Sequence, residues 1–215
     1  MKFNIAPSDY MDYLEETMRV LEEKKDEVTD LDSQLGDGDH WVNLHSGFEK
    51  VLNQSEMLRA SLLPDMLKKI GMTLLSGVGG SSGLLYGSAY IAIANALSSS
   101  DSINQDNFEV FIETMILEIQ KRGQVRPGDK TMLDSLYEAM LEYKKSDGGL
   151  KKKIEAFKQG AQNGMLSTKD MIAQKGRGRY HAKKGVGIVD AGAVTMTIQM
   201  ECLANYILSK IEREN

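Results

Sequence analysis

Three carboxylates fall within the short stretch Asp32-Ser-Gln-Leu-Gly-Asp37-Gly-Asp39-His40. They can converge only if the chain turns sharply between them, and Gly36 and Gly38 permit such turns because glycine tolerates positive φ. Converged carboxylates repel one another unless a cation intervenes. Oxygen-only ligation suits a hard ion, Mg²⁺ or Ca²⁺, rather than zinc. The stretch is not an EF-hand: counted from Asp37, the later loop positions hold Trp41, Val42 and Phe48 instead of an acid, a glycine and a glutamate. Mg²⁺ usually completes its shell with water and substrate phosphates, so the pattern suits a metal–phosphate site. A solvated acidic turn capping a helix that begins near Trp41 has the same residue pattern, and spacing alone leaves both readings open.

Three further loops carry polar or glycine-rich chemistry. Ser76-Gly-Val-Gly-Gly-Ser-Ser-Gly83 leads into an apolar helix containing Leu84, Leu85, Ala89 and Ile93. The free N–H groups of such a helix start form an anion site; close packing of a tight helix connection explains small residues equally well. It is not a P-loop, since Leu84 follows Gly83, and not a dinucleotide fingerprint, since Ser82 takes the third glycine position. Arg122-Gly-Gln-Val-Arg-Pro-Gly-Asp-Lys-Thr131 joins a helix-ending glycine to a Pro-Gly turn. There Asp129 suits the cap of the next helix, while Arg126 or Lys130 suits a phosphate. Lys175-Gly-Arg-Gly-Arg-Tyr-His-Ala-Lys-Lys184 is a basic run in an acidic chain, readable as a solvated loop, an RNA-binding segment or a cover over phosphates. His40, His45 and His181 show no metal-ligand spacing, and His40 draws interest for standing beside Asp39.

The elements that must position these loops are helical. Apolar residues recur near 3.6-residue spacing at Tyr10, Leu14, Met18 and Leu21, with Ser8 as the expected N-cap, and at Leu44, Phe48 and Leu52. The pattern continues at Phe108, Phe111, Met115 and Ile119, at Met132, Leu136 and Met140, at Ile154, Phe157 and Ala161, and at Val194, Ile198, Leu203 and Ile207. Pro64–Ser76 and Gly83–Leu97 complete about eight helices with no convincing strand. An all-α, antiparallel barrel or bundle gathers the loops Asp30–His40, Ser76–Gly83, Arg122–Lys130 and Lys175–Gly192 at one end. No repeat and no linker divides residues 1–215, so one domain is expected.

Composition narrows the function. The net charge of −5 argues against nucleic acid as a partner, which calls for a basic face. Cys202 is the single cysteine, which excludes a disulfide framework and multi-cysteine zinc sites, and its apolar neighbours predict burial. Neither a signal-type apolar core near the start nor an apolar run of membrane-spanning length occurs, so the cytoplasm is the expected location and no membrane partner is expected.

Taken in order, the four loops resemble one family, the DhaL subunit of bacterial dihydroxyacetone kinases. Gly36-Asp-Gly-Asp-His40, with Asp32 upstream, is similar to the family's signature after its first helix. Gly79-Gly-Ser-Ser-Gly83 with Leu85-Tyr-Gly87, Arg122-Gly123, and Pro127-Gly-Asp-Lys-Thr-Met132 match its later segments. The resemblance implies an eight-helix antiparallel barrel with ADP or ATP bound by loops at one end. It implies that Asp32, Asp37 and Asp39 hold two Mg²⁺ ions that bridge the nucleotide phosphates. His40 and Asn43 would lie near those phosphates, with Gly80, Ser81 and Ser82 from the second loop. Gly123 and Met132 would line the adenine, Asp190 and Gly192 would complete the nucleotide site, and Arg177 would cover it.

The implied reaction is phosphoryl transfer from Mg-ATP to dihydroxyacetone held on a separate kinase subunit. In the variant coupled to the phosphotransferase system, a phosphoprotein of that system recharges ADP that stays bound. A homodimer is compatible with this arrangement. One departure is Asp190-Ala-Gly192 where the family usually has Asp-Pro-Gly. Alanine leaves that loop freer than proline would. The Val-Asp-Ala-Gly wording is also similar to the nucleotide domain of fatty acid kinases, which keeps another ketose such as erythrulose, or an acyl group, open as acceptor. A nucleotide-binding regulatory module is the reading from a different class.

Overall fold

Each apolar stripe of the sequence lies in a helix and is buried, save for the half-buried Leu52. The computed structural model describes residues 2–181 and 185–213. In chain order these form β1 (Asn4–Ile5), α1 (Pro7–Glu23), α2 (Lys25–Leu35), α3 (His40–Leu52), α4 (Ser55–Arg59), α5 (Leu63–Gly77) and α6 (Gly80–Ala96). There follow β2 (Ile103–Asn104), α7 (Phe108–Gly123), α8 (Met132–Lys145), α9 (Leu150–Ser167), the 3-10 turns η1 (Thr168–Asp170) and η2 (Arg177–Tyr180), and α10 (Ala191–Arg213). The all-α class expected from periodicity is the one observed. Among the described residues no helix is long and apolar enough to cross a membrane.

The described residues form ten α-helices where periodicity shows about eight. The additions are α2 and α4. Helix α2 buries only Val28 and Leu35, too sparse a stripe to register against its many acids. Its presence moves Asp32 from a loop onto a helix. Helix α4 is a single turn around Leu58. Among the described residues strand structure is limited to one antiparallel pair, Asn4 opposite Asn104 and Ile5 opposite Ile103.

Three local expectations are corrected. Helix α1 begins at Pro7, and Asp9 Oδ2 rather than Ser8 accepts the Ala6 N–H, at 3.0 Å. Helix α6 begins at Gly80, so Ser81 and Ser82 sit in its first turn. Helix α7 ends with Gly123 still helical, and Gln124 takes the left-handed turn at φ 50°.

The chain divides into two compact units. Unit 1 comprises residues up to Arg19, Asn43–Gln124 and those from Tyr206 onward; unit 2 comprises Val20–Val42 and Val125–Asn205. Helices α1, α3 and α10 therefore contribute residues to both.

In unit 1, α5 packs on α6 and α6 on α7. The first contact is nearly backbone to backbone: a Cβ at Gly87 would stand 2.7 Å from the Gly71 carbonyl oxygen. Tyr10, Tyr90 and Phe111 form an edge-to-face aromatic cluster, and the two tyrosine hydroxyls bond at 2.9 Å. A buried hydroxyl needs such a partner.

In unit 2, α8 and α9 approach as closely, since a Cβ at Gly160 would stand 2.5 Å from the Glu138 carbonyl oxygen. Phe157, Leu133, Leu136, Met196 and Leu203 are buried here. The Ser135 and Thr197 hydroxyls satisfy each other at 2.8 Å inside that core. Helix α8 starts with a capping box in which Thr131 accepts from Leu133 N–H and Asp134 accepts from Thr131 N–H. Asp129, the cap expected from sequence, instead accepts from Arg126 N–H at 3.0 Å.

Candidate functional site

The turn from α2 to α3 in unit 2 brings the three expected carboxylates together. One oxygen from each of Asp32, Asp37 and Asp39 lies within 4.8 Å of the others. Two close approaches make the turn possible. Gly36 N–H donates to the Asp32 carbonyl at 2.5 Å, ending α2, and a Cβ at Gly36 would meet Asp32 Oδ1 at 2.7 Å. Gly38 has φ +74°, and a Cβ there would meet Ser33 Oγ at 2.6 Å. Any larger residue at Gly36 would push against a carboxylate of the cluster.

His40 opens α3 directly behind this turn. Its backbone N–H donates to Asp32 Oδ2 at 3.1 Å, and its Nε2 bonds to Thr195 Oγ1 at 2.9 Å. Burial pushes the imidazole pKa below its ordinary value, while the Asp32 and Asp39 carboxylates pull it back up. Thr195 also donates to the Gly192 carbonyl at 3.1 Å, so one hydroxyl links His40 to the start of α10.

Arg177, the first residue of η2, faces the cluster. Its Nη2 lies 2.6 Å from Asp37 Oδ2 and its Nη1 lies 3.8 Å from Asp39 Oδ1. The next residue, Gly178, sits close to Ala173 and to Leu35 at the end of α2, which seats η2 against the helix that carries Asp32. A guanidinium at this point neutralises part of the carboxylate charge, as a bound cation would. The donor set is all oxygen and mostly accessible, which fits a hard divalent ion that keeps positions for water or phosphate.

Asp190 caps α10 in the same unit: its Oδ2 accepts from Ala193 N–H at 2.8 Å. Burial pushes its carboxyl pKa up to about 7, opposed by that N–H and by the Lys130 ammonium. Gly192 abuts Met132, with a Cβ position 3.6 Å from Met132 Cβ. Met132, Asp190 and Gly192 are thus local neighbours.

The remaining expected residues belong to unit 1. There a Cβ at Gly79 would meet Asn43 Oδ1 at 2.5 Å, which places Asn43 against the entry to α6. Gly80 has φ +66°, and no side chain caps the helix it opens. Ser81 and Ser82 follow in the first turn, whose N–H groups suit an anion. Gly123 lies at the end of α7.

Two residues offered for phosphate by the sequence serve otherwise. Lys130 is buried, and its ammonium donates to the Thr168 and Ile188 carbonyls. Arg126 is exposed and pairs with Asp129 at 3.6 Å. Residues 182–184, the end of the basic run, lie outside the described residues. Thr195 and Ser33 were missed by motif reading. The signal for Thr195 is a hydroxyl within the largely apolar start of α10, fully buried and therefore in need of a partner.

The class that emerges is a helical protein whose unit 2 carries an all-oxygen carboxylate cluster faced by an arginine, suited to a divalent cation, and whose unit 1 carries a glycine-rich helix start, suited to an anion. Residues 34–205 match the family model described as the DAK2 domain, and the chain belongs to that family. It is 29% identical over 204 residues to "PEP-dependent dihydroxyacetone kinase, ADP-binding subunit DhaL" of Escherichia coli (strain K12), covering 94% of this chain and 97% of that one. It is 34% identical over 206 residues to "PEP-dependent dihydroxyacetone kinase 2, ADP-binding subunit DhaL" of Listeria innocua, covering 93% of each. Its fold is similar to that of the dihydroxyacetone kinase from C. freundii, solved in complex with AMP-PNP and Mg²⁺, with a TM-score of 0.70 and 22% identity. The match takes in 91% of this chain but only 33% of the kinase.

Proposed function

We propose that this chain is the nucleotide-binding subunit of a dihydroxyacetone kinase. The phosphoryl group passes from Mg-ATP to dihydroxyacetone held on a separate subunit, and a phosphotransferase-system phosphoprotein recharges the ADP that stays behind. The observation that carries the reading is the convergence of Asp32, Asp37 and Asp39 within 4.8 Å, with Arg177 against them. Family membership and two ADP-binding relatives matched over nearly their whole length support it. Residues 1–215 act in this reading as one nucleotide-binding domain in the cytoplasm.

Phosphoryl transfer needs positioning and charge neutralisation more than covalent help from the protein. Asp32, Asp37 and Asp39 would hold two Mg²⁺ ions, which when bound supply charge compensation and alignment for the transferred group. His40 fixes the Asp32 carboxylate through its backbone N–H. Its side chain is braced by Thr195, and burial favours the neutral imidazole, which the Asp32 and Asp39 carboxylates oppose. Asn43, Gly80, Ser81 and Ser82 supply amide and hydroxyl groups for phosphate oxygens. By the family resemblance Gly123 and Met132 would serve the adenine, and Asp190 and Gly192 set the start of α10. Arg177 turns from the carboxylates to the phosphates as ligand binds.

Calorimetric titration of ADP into nucleotide-free protein tests this, first with Mg²⁺ and then with EDTA. Binding that disappears with EDTA is the expected result. Equal binding in both conditions would remove the metal from the site, and no binding in either would remove the nucleotide.

A further inference from the structure

Lys130 is 2% exposed, an unusual place for an ammonium. Its Nζ donates to the carbonyl oxygens of Thr168 and Ile188. Those carbonyls stand at the two ends of a single stretch, 168–188, which contains η1, η2 and Arg177. The same neck is closed by Gly187 N–H donating to the Lys169 carbonyl at 2.7 Å, and just beyond it Asp190 N–H donates to Thr168 Oγ1 at 3.0 Å. Gln174 N–H donates to the Asp129 carbonyl at 3.1 Å, tying the interior of the stretch to the residue before Lys130.

A side chain that only filled this space would need no charge. Methionine has similar length and no desolvation penalty, whereas an ammonium leaves water at substantial cost and must recover it through strong bonds. Charge-assisted bonds to two carbonyls provide that recovery, and they fix two backbone segments at one point. Burial lowers the Lys130 pKa, while Asp190, Asp134 and Asp170 act to keep the charge. The residue also holds φ 62°, a left-handed conformation that a lysine rarely adopts, so the surrounding structure dictates its placement.

We propose that Lys130 is a positioning residue: its buried ammonium pins the neck of the 168–188 stretch and thereby sets where Arg177 stands beside Asp37 and Asp39. The role rests on the nucleotide site described above, since only there does the position of Arg177 have a chemical consequence. Lys130 touches no reacting group itself.

The test is a double-mutant cycle read by ADP calorimetry in excess Mg²⁺, on the parent, Lys130→Met, Arg177→Ala and the double variant. Lys130→Met should weaken binding about tenfold when Arg177 is present and less than about twofold when it is absent, a coupling within the range for residues that act through shared structure. Equal losses in both backgrounds, or no loss, would overturn the proposal, because general destabilisation does not depend on Arg177. Limited trypsin digestion adds an arm that needs no nucleotide. Cleavage after Lys175, Arg177 and Arg179 should accelerate in Lys130→Met under conditions where its helical circular dichroism matches the parent. Unchanged cleavage there would overturn the pin even if ADP does not bind the parent at all, an outcome that would separately defeat the nucleotide reading. Should Lys130→Met fail to fold, Lys130→Gln replaces it in both arms: it keeps a polar end but removes the charge that holds both carbonyls, and the same two outcomes decide.

Discussion

Arg177 and Asp37 form an ion pair, Nη2 to Oδ2 at 2.6 Å, across an otherwise anionic cluster. The arginine side chain is 61% exposed and the aspartate 41%, so the pair is solvated and weak enough to exchange. A divalent ion entering the cluster competes with the guanidinium for the same oxygens. Arg177→Ala should therefore tighten binding of Mn²⁺ alone by up to about fivefold, as an exposed pair of roughly 1 kcal/mol allows. It should weaken binding of ADP in excess Mg²⁺. Opposite signs in these two titrations are the diagnostic result, and a parallel loss in both would show that Arg177 supports the cluster rather than competing within it.

Asp37→Ala removes one of the three proposed metal ligands, from a cluster whose surroundings are mostly accessible. Metal-dependent ADP binding should be lost, while the far-ultraviolet circular dichroism stays that of the parent. Stability without metal should hold within about 0.5 kcal/mol, as for other exposed substitutions, since relief of repulsion offsets the lost pair with Arg177. ADP binding that survives the substitution in full would move the metal elsewhere.

Gly36→Ala separates site geometry from fold. The added Cβ meets Asp32 Oδ1 at 2.7 Å, and the cheapest escape is rotation of that carboxylate out of the cluster. Mn²⁺ affinity should fall about 10–100-fold, the scale for a displaced ligand support. The urea midpoint should move little. A large stability loss with metal affinity retained would mean the backbone yielded in place of the side chain.

Asp190 links pH to stability. Its folded-state pKa, pushed up to about 7 by burial, lies above the ordinary carboxyl value near 4. Between those values the folded protein holds a proton that the unfolded chain has released, so stability falls as pH rises through this window and levels off above it. Asp190→Asn keeps an oxygen to accept the Ala193 N–H and removes the titration. The difference in unfolding free energy between parent and variant should change across about pH 4–7, in favour of the variant at the alkaline end. A constant difference over that range would mean that Asp190 titrates normally.

Much of this was legible in the sequence because the signals are local. Helical spacing marked most of the helices, and the alternation of glycine and aspartate from Gly36 to Asp39 marked the turn that gathers the carboxylates. Helix α2 escaped because Val28 and Leu35 alone carry its buried face, so its acids read as loop. The start of α6 was misplaced because Gly80, Ser81 and Ser82 are poor helix formers that tertiary packing overrides. Lys130 looked like a phosphate ligand because nothing nearby in sequence announces the carbonyls of Thr168 and Ile188, which lie 38 and 58 residues away. A still greater distance hid Thr195 as the partner of His40, which is 155 residues earlier.

Trp41, the single tryptophan, follows His40 directly in α3. Its indole N–H donates to the Leu21 carbonyl at 2.8 Å, and the Lys25 ammonium lies 5.0 Å from the ring centroid. Indole emission responds to nearby charge and to hydrogen bonding at the ring nitrogen, and both are set here by elements that flank the carboxylate turn. The protein thus contains its own optical probe, one residue from the candidate site, whose intensity and wavelength should shift when Mn²⁺ or Mg-ADP is added if the carboxylate turn moves on binding.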